Sequence, residues 1–209
     1  GLALPTIVFL FTLFMDTKVH SRKDFQGKTS VPFLGEIPYD ATKNKKKKKK
    51  MTPEEEAEEE RHGMIAEAFK ILRTNRTFMK KKGQKVQVIT LTSLNESAGK
   101  TFISVHLGKS LADSKKKVIM VDLDIRKRTL SHHFATDKHI GVTNYLADDS
   151  IDLQSIIHHD DKTGVDYILG GHAAPNPAEL LLDERLDQMM EALRQEYDYI
   201  IADNVPCGV

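Results

Sequence analysis

Gly99, Lys100 and Thr101 carry the densest chemical signal in this 209-residue sequence. With Ser97 and Ala98 before them, they follow an apolar run from Val86 to Leu91 and precede a helix-like run from Phe102 to Ala112. A strand, a glycine-bearing loop and a helix in that order make a phosphate cradle. Backbone N–H groups at a helix N-terminus point at an anion, and the helix dipole favours negative charge there. Lys100 is then placed to reach the terminal phosphates, and the Thr101 hydroxyl to hold Mg²⁺. The loop is irregular, because Leu94 stands six positions before Lys100, where the usual pattern has its first glycine.

Two further segments strengthen a signal that is weak as a bare triplet. Val118 to Val121 is a continuous apolar run that leads into Asp122, Leu123 and Asp124. Tyr199 to Ala202 is a second such run, ending in Asp203. Strands buried on both faces of a parallel sheet look like this, and ligands sit beyond their C-terminal ends. A carboxylate there is placed as a Walker B residue is, to bind a metal. Asp122 and Asp124 alternate sides if the chain stays extended, so both approach one Mg²⁺ only if it bends after Asp122.

Composition limits the alternatives. The net charge is +1, which leaves no global footprint for nucleic acid. A single cysteine, Cys207, excludes an internal disulfide framework and fits a reducing compartment. No Cys/His spacing resembles a zinc site, and the pairs His132-His133 and His158-His159 read as polar surface.

The elements that must position these groups follow from pattern. Residues 86–92, 117–122, 165–169 and 199–203 read as strands, with helices at 101–114, around 130–134 and 142–147, at 153–158 and over 177–196. Strands alternating with helical patterns predict an α/β fold with a doubly wound parallel sheet of the P-loop NTPase type. The sequence stops just after the 199–203 strand, so the sheet is expected to be incomplete at its C-terminal side. Thr52, Pro53 and Glu55 make a helix start with a capping box, and the helix is expected to reach about Met79. Ahead of it, Gly1 to Met15 carries no charge and is shorter than the roughly 20 apolar residues that span a bilayer. It reads as the end of a transmembrane helix, with Lys18, Arg22 and Lys23 marking the cytoplasmic side. Residues 16–51 form a connector with a hairpin-like stretch at 31–38 and a lysine run, Lys45 to Lys50. The expected organisation is therefore 1–15 membrane segment, 16–51 juxtamembrane linker and 52–209 P-loop domain.

Taken in order, these segments resemble the cytoplasmic part of bacterial tyrosine kinases of the capsular and exopolysaccharide type. The resemblance covers nearly the whole chain. It includes residues 16–24, 32–38 and 67–75, the stretch from Pro175 to Leu181, and the three nucleotide-site segments. Val121 to Arg126 is similar to the family's Walker A′ pattern, and Ile201 to Asp203 to its Walker B. It implies an ATP-dependent protein-tyrosine autokinase that regulates polysaccharide synthesis and export from the inner membrane. Lys100, Asp122 and Asp124 would be catalytic. Ser97, Ala98, Gly99, Lys100, Thr101 and Phe102 would bind ATP. Thr101, Asp122 and Asp203 would hold Mg²⁺. Glu67, Lys70 and Arg73 are similar to the family's ring-forming Glu-x-x-Arg-x-x-Arg motif, with Lys70 in place of the first arginine. Lysine keeps the charge but loses the planar fork. The implied partners are further copies of the chain, its own chain-length-determinant region, a cognate tyrosine phosphatase and the export machinery.

Departures from the family define the alternatives. Glu96 and Ser97 stand where the family loop has proline or glycine, and the tyrosine-rich tail has no counterpart among the five tyrosines here. Those features point to a catalytically weak or inactive chain-length regulator as the non-enzymatic alternative. Within the fold, the rival is a Min/Par-type ATPase, whose signature lysine is replaced by Asn95.

Overall fold

The computed structural model describes residues 3–15, 30–38, 53–78, 88–95, 97–134 and 139–205. The Thr52 cap, the lysine run, Glu96, and residues 86 and 87 of the first expected strand lie outside them. The chain divides into two compact units, residues 1–34 and 35–209. The first unit contains helix α1 (Ala3–Phe14), an uncharged helix on which Ile7, Val8, Phe9 and Phe11 are all exposed. Among the described residues no helix is long and apolar enough to cross a membrane. The hairpin expected at 31–38 is not formed, since that stretch contains no strand. Pro32 and Pro38 explain this, because proline has no N–H to give to a ladder.

The second unit is an α/β sandwich. In chain order it comprises α2 (Pro53–Phe78), β1 (Val88–Leu91), α3 (Lys100–Ala112), β2 (Val118–Asp122), α4 (Thr129–His133) and α5 (Val142–Ala147). A 3₁₀ turn (Leu153–Ile156), β3 (His158–Asp160), β4 (Val165–Ile168), α6 (Pro177–Leu180), α7 (Glu184–Glu196) and β5 (Tyr199–Asp203) follow. The sheet order is β1-β5-β2-β4-β3, with every pair parallel except the antiparallel β3–β4 edge.

β2 and β5 are buried along their whole lengths because helices cover both faces. Alternate residues divide between two cores. Val118, Met120, Tyr199 and Ile201 join Phe69, Val105 and Leu111 beneath α2 and α3. Ile119, Val121 and Ile200 face the opposite way and join Val142, Met189 and Leu193 of α5 and α7. Each fully buried large aliphatic side chain here stabilises the fold by about 1.5–3 kcal/mol before chain entropy is counted.

Two local features depart from the pattern reading. The helix expected over 177–196 is broken into α6 and α7. Asp183 takes an extended backbone, and its carboxylate accepts a hydrogen bond from Arg185 N at 2.9 Å, which caps a new helix start. The polar strand β3 is an addition, paired on one side only.

Candidate active site

β1 delivers the chain into the loop that ends at Gly99. Gly99 has φ 88° and turns the chain into α3, its carbonyl accepting from Ile103 N at 2.9 Å. A glycine takes this left-handed conformation without steric penalty. Ser97 does not have that freedom, yet it sits at φ 56°. The N-cap residue of α3 is Gly99, which has no side chain to cap the helix. Two left-handed turns leading into a helix N-terminus make the loop a ready anion cradle.

The strand register brings the acids together. Asp122 and Asp203 are direct neighbours at the C-terminal ends of β2 and β5. The Asp203 carbonyl accepts from both Leu123 N (3.0 Å) and Asp124 N (3.1 Å), so the chain bends immediately after Asp122. That is the bend required to bring Asp124 round, and Asp124 N also donates to Asp122 Oδ1 at 3.1 Å. All three carboxylates are buried. Thr101 Oγ1 donates to Asp203 Oδ2 at 2.7 Å, tying the cradle to the acids.

Asp122 carries the electrostatic signature of the site. Burial pushes its carboxyl up to about 8, the neighbouring Asp203 and Asp124 charges adding to the shift against the N–H donors of Leu130 and Asp124. A carboxyl held near neutrality among like charges either shares a proton or is matched to a cation. Among the described residues no group of three His, Cys, Asp or Glu side chains is placed to chelate a metal ion directly. The donor set instead fits Mg²⁺, which keeps several waters and is held by one or two protein oxygens plus substrate phosphates.

The remaining expected residues are placed less directly. Lys100 Nζ donates to Ser93 Oγ at 3.2 Å, across the loop. The Phe102 ring lies in an aromatic cluster with Phe69 and His106, its centroid 4.0 Å from that of His106, so only its backbone faces the cradle side. On α2, Glu67 and Lys70 are exposed and pair with each other at 3.1 Å. Arg73 turns inward and donates to the carbonyl and hydroxyl of Ser110 on α3. The Glu67 and Lys70 side chains stand outside the Thr101–Asp122–Asp203 cluster.

Pattern reading missed three contributors. Ser104, fully buried on α3, donates to Asp203 Oδ1 at 3.4 Å. Gly170, just after β4, lies beside the acids, where a Cβ would be in ordinary contact with Asp122 Oδ2 at 3.5 Å and crowd the Arg128 side chain at 3.2 Å. Ser93 receives the Lys100 side chain. Ser104 lies three residues beyond Thr101, on the same helix face, and that spacing was the available signal.

The chain is similar to known proteins over the region that carries this site. Residues 86–208 match the AAA domain family. The chain is 34% identical over 140 residues to the tyrosine-protein kinase Etk of Escherichia coli K12, covering 67% of this chain and 19% of that protein. It is 35% identical over 144 residues to the tyrosine-protein kinase CpsD of Streptococcus agalactiae, covering 68% and 61%. The solved kinase domain of the Escherichia coli tyrosine kinase ETK superposes with a TM-score of 0.71 at 28% identity, covering 84% of this chain and 69% of that one. The matched part spans about a fifth of the length of the first relative and about three fifths of the second.

Proposed function

The chain belongs to the bacterial tyrosine-kinase family within the P-loop fold, and on that premise we propose that it is the phosphotransfer part of an ATP-dependent protein-tyrosine autokinase regulating capsule or exopolysaccharide synthesis and export. The observation that carries this reading is the union of cradle and acids: Thr101 bonded to Asp203, and Asp203 in register with an Asp122 whose carboxyl is held at about 8.

Each residue has a role that its position supports. The N–H groups of the 97–102 segment bind the phosphates, and Lys100 balances charge on the transferred group. Thr101, Asp122 and Asp203 would hold Mg²⁺, the carboxylates through water. Bound Mg²⁺ supplies neutralisation of charge on the phosphoryl oxygens. One aspartate of the Asp122/Asp124 pair would assist deprotonation of the acceptor tyrosine hydroxyl. The rest of the catalysis is positioning and electrostatic stabilisation, as in phosphoryl transfer generally.

The same reading places the protein at the cytoplasmic side of the bacterial inner membrane. Support comes from the uncharged α1, whose apolar side chains are exposed. Residues 1–15 are then the end of a membrane segment, 16–51 a linker, and 52–209 the kinase domain. Ring assembly of identical subunits would use Glu67 and Lys70 of α2. Arg73, engaged with Ser110 of its own chain, would brace that helix. The remaining partners on this reading are the chain's own chain-length-determinant region, a cognate tyrosine phosphatase and the export machinery.

Calorimetric titration with ATP and Mg²⁺ tests the reading. Saturable binding that is strongly weakened in Lys100→Met is expected. No binding by the unaltered chain would favour an assembly regulator with a degraded nucleotide site, the reading that the strained Ser97 favours.

A further inference from the structure

Ser93 stands two residues past the end of β1 and seven residues before Lys100. Its hydroxyl makes two bonds with opposite roles. Its proton is donated to the Asn95 carbonyl at 2.6 Å. Its lone pair accepts from Lys100 Nζ at 3.2 Å. A hydroxyl has a single proton, so once that proton is given to Asn95 the oxygen presents only acceptor capacity to the ammonium. The arrangement is therefore directional. Asn95 orients Ser93, and Ser93 holds Lys100.

The bond also spans the loop. Lys100 is the first residue of α3, and Ser93 precedes the segment that turns through Ser97 and Gly99. The lysine side chain thus crosses the mouth of the loop and closes it with a non-covalent strap. A lysine side chain has many rotamers, and a free one would lose that freedom on meeting a phosphate. One already extended across the cradle has lost most of it before the nucleotide arrives.

We propose that Ser93 is a positioning residue that holds Lys100 across the phosphate cradle, through an acceptor oriented by the Asn95 carbonyl. Ser93 itself has no contact with nucleotide in this role. The proposal rests on the nucleotide-binding reading of the loop, and its test separates the two.

The experiment uses the whole chain and two measurements. In the first, Lys100 is acetylated with an N-hydroxysuccinimide ester without nucleotide, and its rate is compared by mass mapping with that of Lys109. Lys109 pairs with Asp113 on the same helix and serves as the internal standard. Ser93→Ala is expected to raise the Lys100 rate several-fold and Ser93→Thr to leave it near the original. In the second, binding of a fluorescent ATP analogue with Mg²⁺ is measured for Ser93→Ala, Lys100→Met and the double variant. Without the strap the nucleotide must itself order the Lys100 side chain, which predicts up to about a tenfold loss for Ser93→Ala. That loss should shrink below about twofold in the Lys100→Met background, because residues acting through one another are not additive. An unchanged Lys100 labelling rate overturns the proposal, as does the same loss in both backgrounds. Altered labelling in a chain that binds no nucleotide would uphold the strap and refute the nucleotide reading. If Ser93→Ala fails to fold, Ser93→Cys replaces it, a thiol being a weak acceptor of similar size.

Discussion

Replacing Asp122 by asparagine should stabilise the free protein, and the gain should depend on pH. Asp122 is fully buried beside Asp203, and its carboxyl is raised from 3.8 to about 8. Its folded value lies above its unfolded value, so between those two pH values the folded chain binds one proton more than the unfolded chain. Stability from this group therefore falls as pH rises from about 4 to about 8, then levels. Each pH unit within the window is worth about 1.4 kcal/mol, so raising the pH from 5 to 7 removes about 3 kcal/mol. Asparagine has no proton to lose, but its NH₂ faces one of the two N–H groups that Asp122 accepts, from Asp124 at 3.1 Å and Leu130 at 3.3 Å. Losing one such bond costs about 1–3 kcal/mol at every pH. The variant should therefore be about as stable as the unaltered chain, or slightly less so, near pH 5, and more stable by about 2–4 kcal/mol near pH 8. For a domain of this size that is a rise in melting temperature of several degrees. Thermal melts of both proteins at half-unit intervals from pH 5 to 8.5, without Mg²⁺ or nucleotide, measure it. A difference in melting temperature that stays flat across that range would refute the buried-acid reasoning.

Three further outcomes follow from particular contacts. Ser97→Gly relieves a left-handed serine at φ 56° and should stabilise the free chain by about 1 kcal/mol, read as a higher denaturant midpoint. Ser104→Ala removes a donor 3.4 Å from buried Asp203 and should lower stability by about 1 kcal/mol, while weakening the Mg²⁺ dependence of nucleotide binding in a calorimetric titration. His159 is raised above its ordinary 6.5, chiefly by its bond to Asp166. Its contribution is therefore whole below pH 6.5 and is lost as pH climbs through the higher folded value. His159→Gln should abolish that part of the pH dependence, as seen in hydrogen exchange of β3 and β4.

The parts of this molecule that announced themselves in the sequence are those with one strong physical constraint. β2 and β5 lie between two helical layers, so every residue is apolar until the terminal aspartate. The Gly99 turn requires a residue tolerant of positive φ, and the loop was found through it. The bend after Asp122 was left open because it depends on the Asp203 carbonyl, a backbone group eighty residues away that no side-chain pattern reports. β3 was missed because an edge strand of His158, His159 and Asp160 has no apolar alternation to show. The break between α6 and α7 was hidden by Leu180, Leu181 and Leu182, which carry the apolar pattern straight through it. Only the capping geometry of Asp183 reveals the stop. Ser93 and Ser104 bear no motif, since a serine's partner is set by tertiary placement alone.

Phosphoryl transfer from ATP to tyrosine should run through the cradle at Gly99–Thr101 and the aspartates beside it. Incubation of the intact protein containing this chain with [γ-³²P]ATP and Mg²⁺, followed by phospho-amino-acid separation, tests it most directly. Label on tyrosine is expected, lost in both Lys100→Met and Asp122→Asn. Label absent from tyrosine, or undiminished in Lys100→Met, would contradict the account.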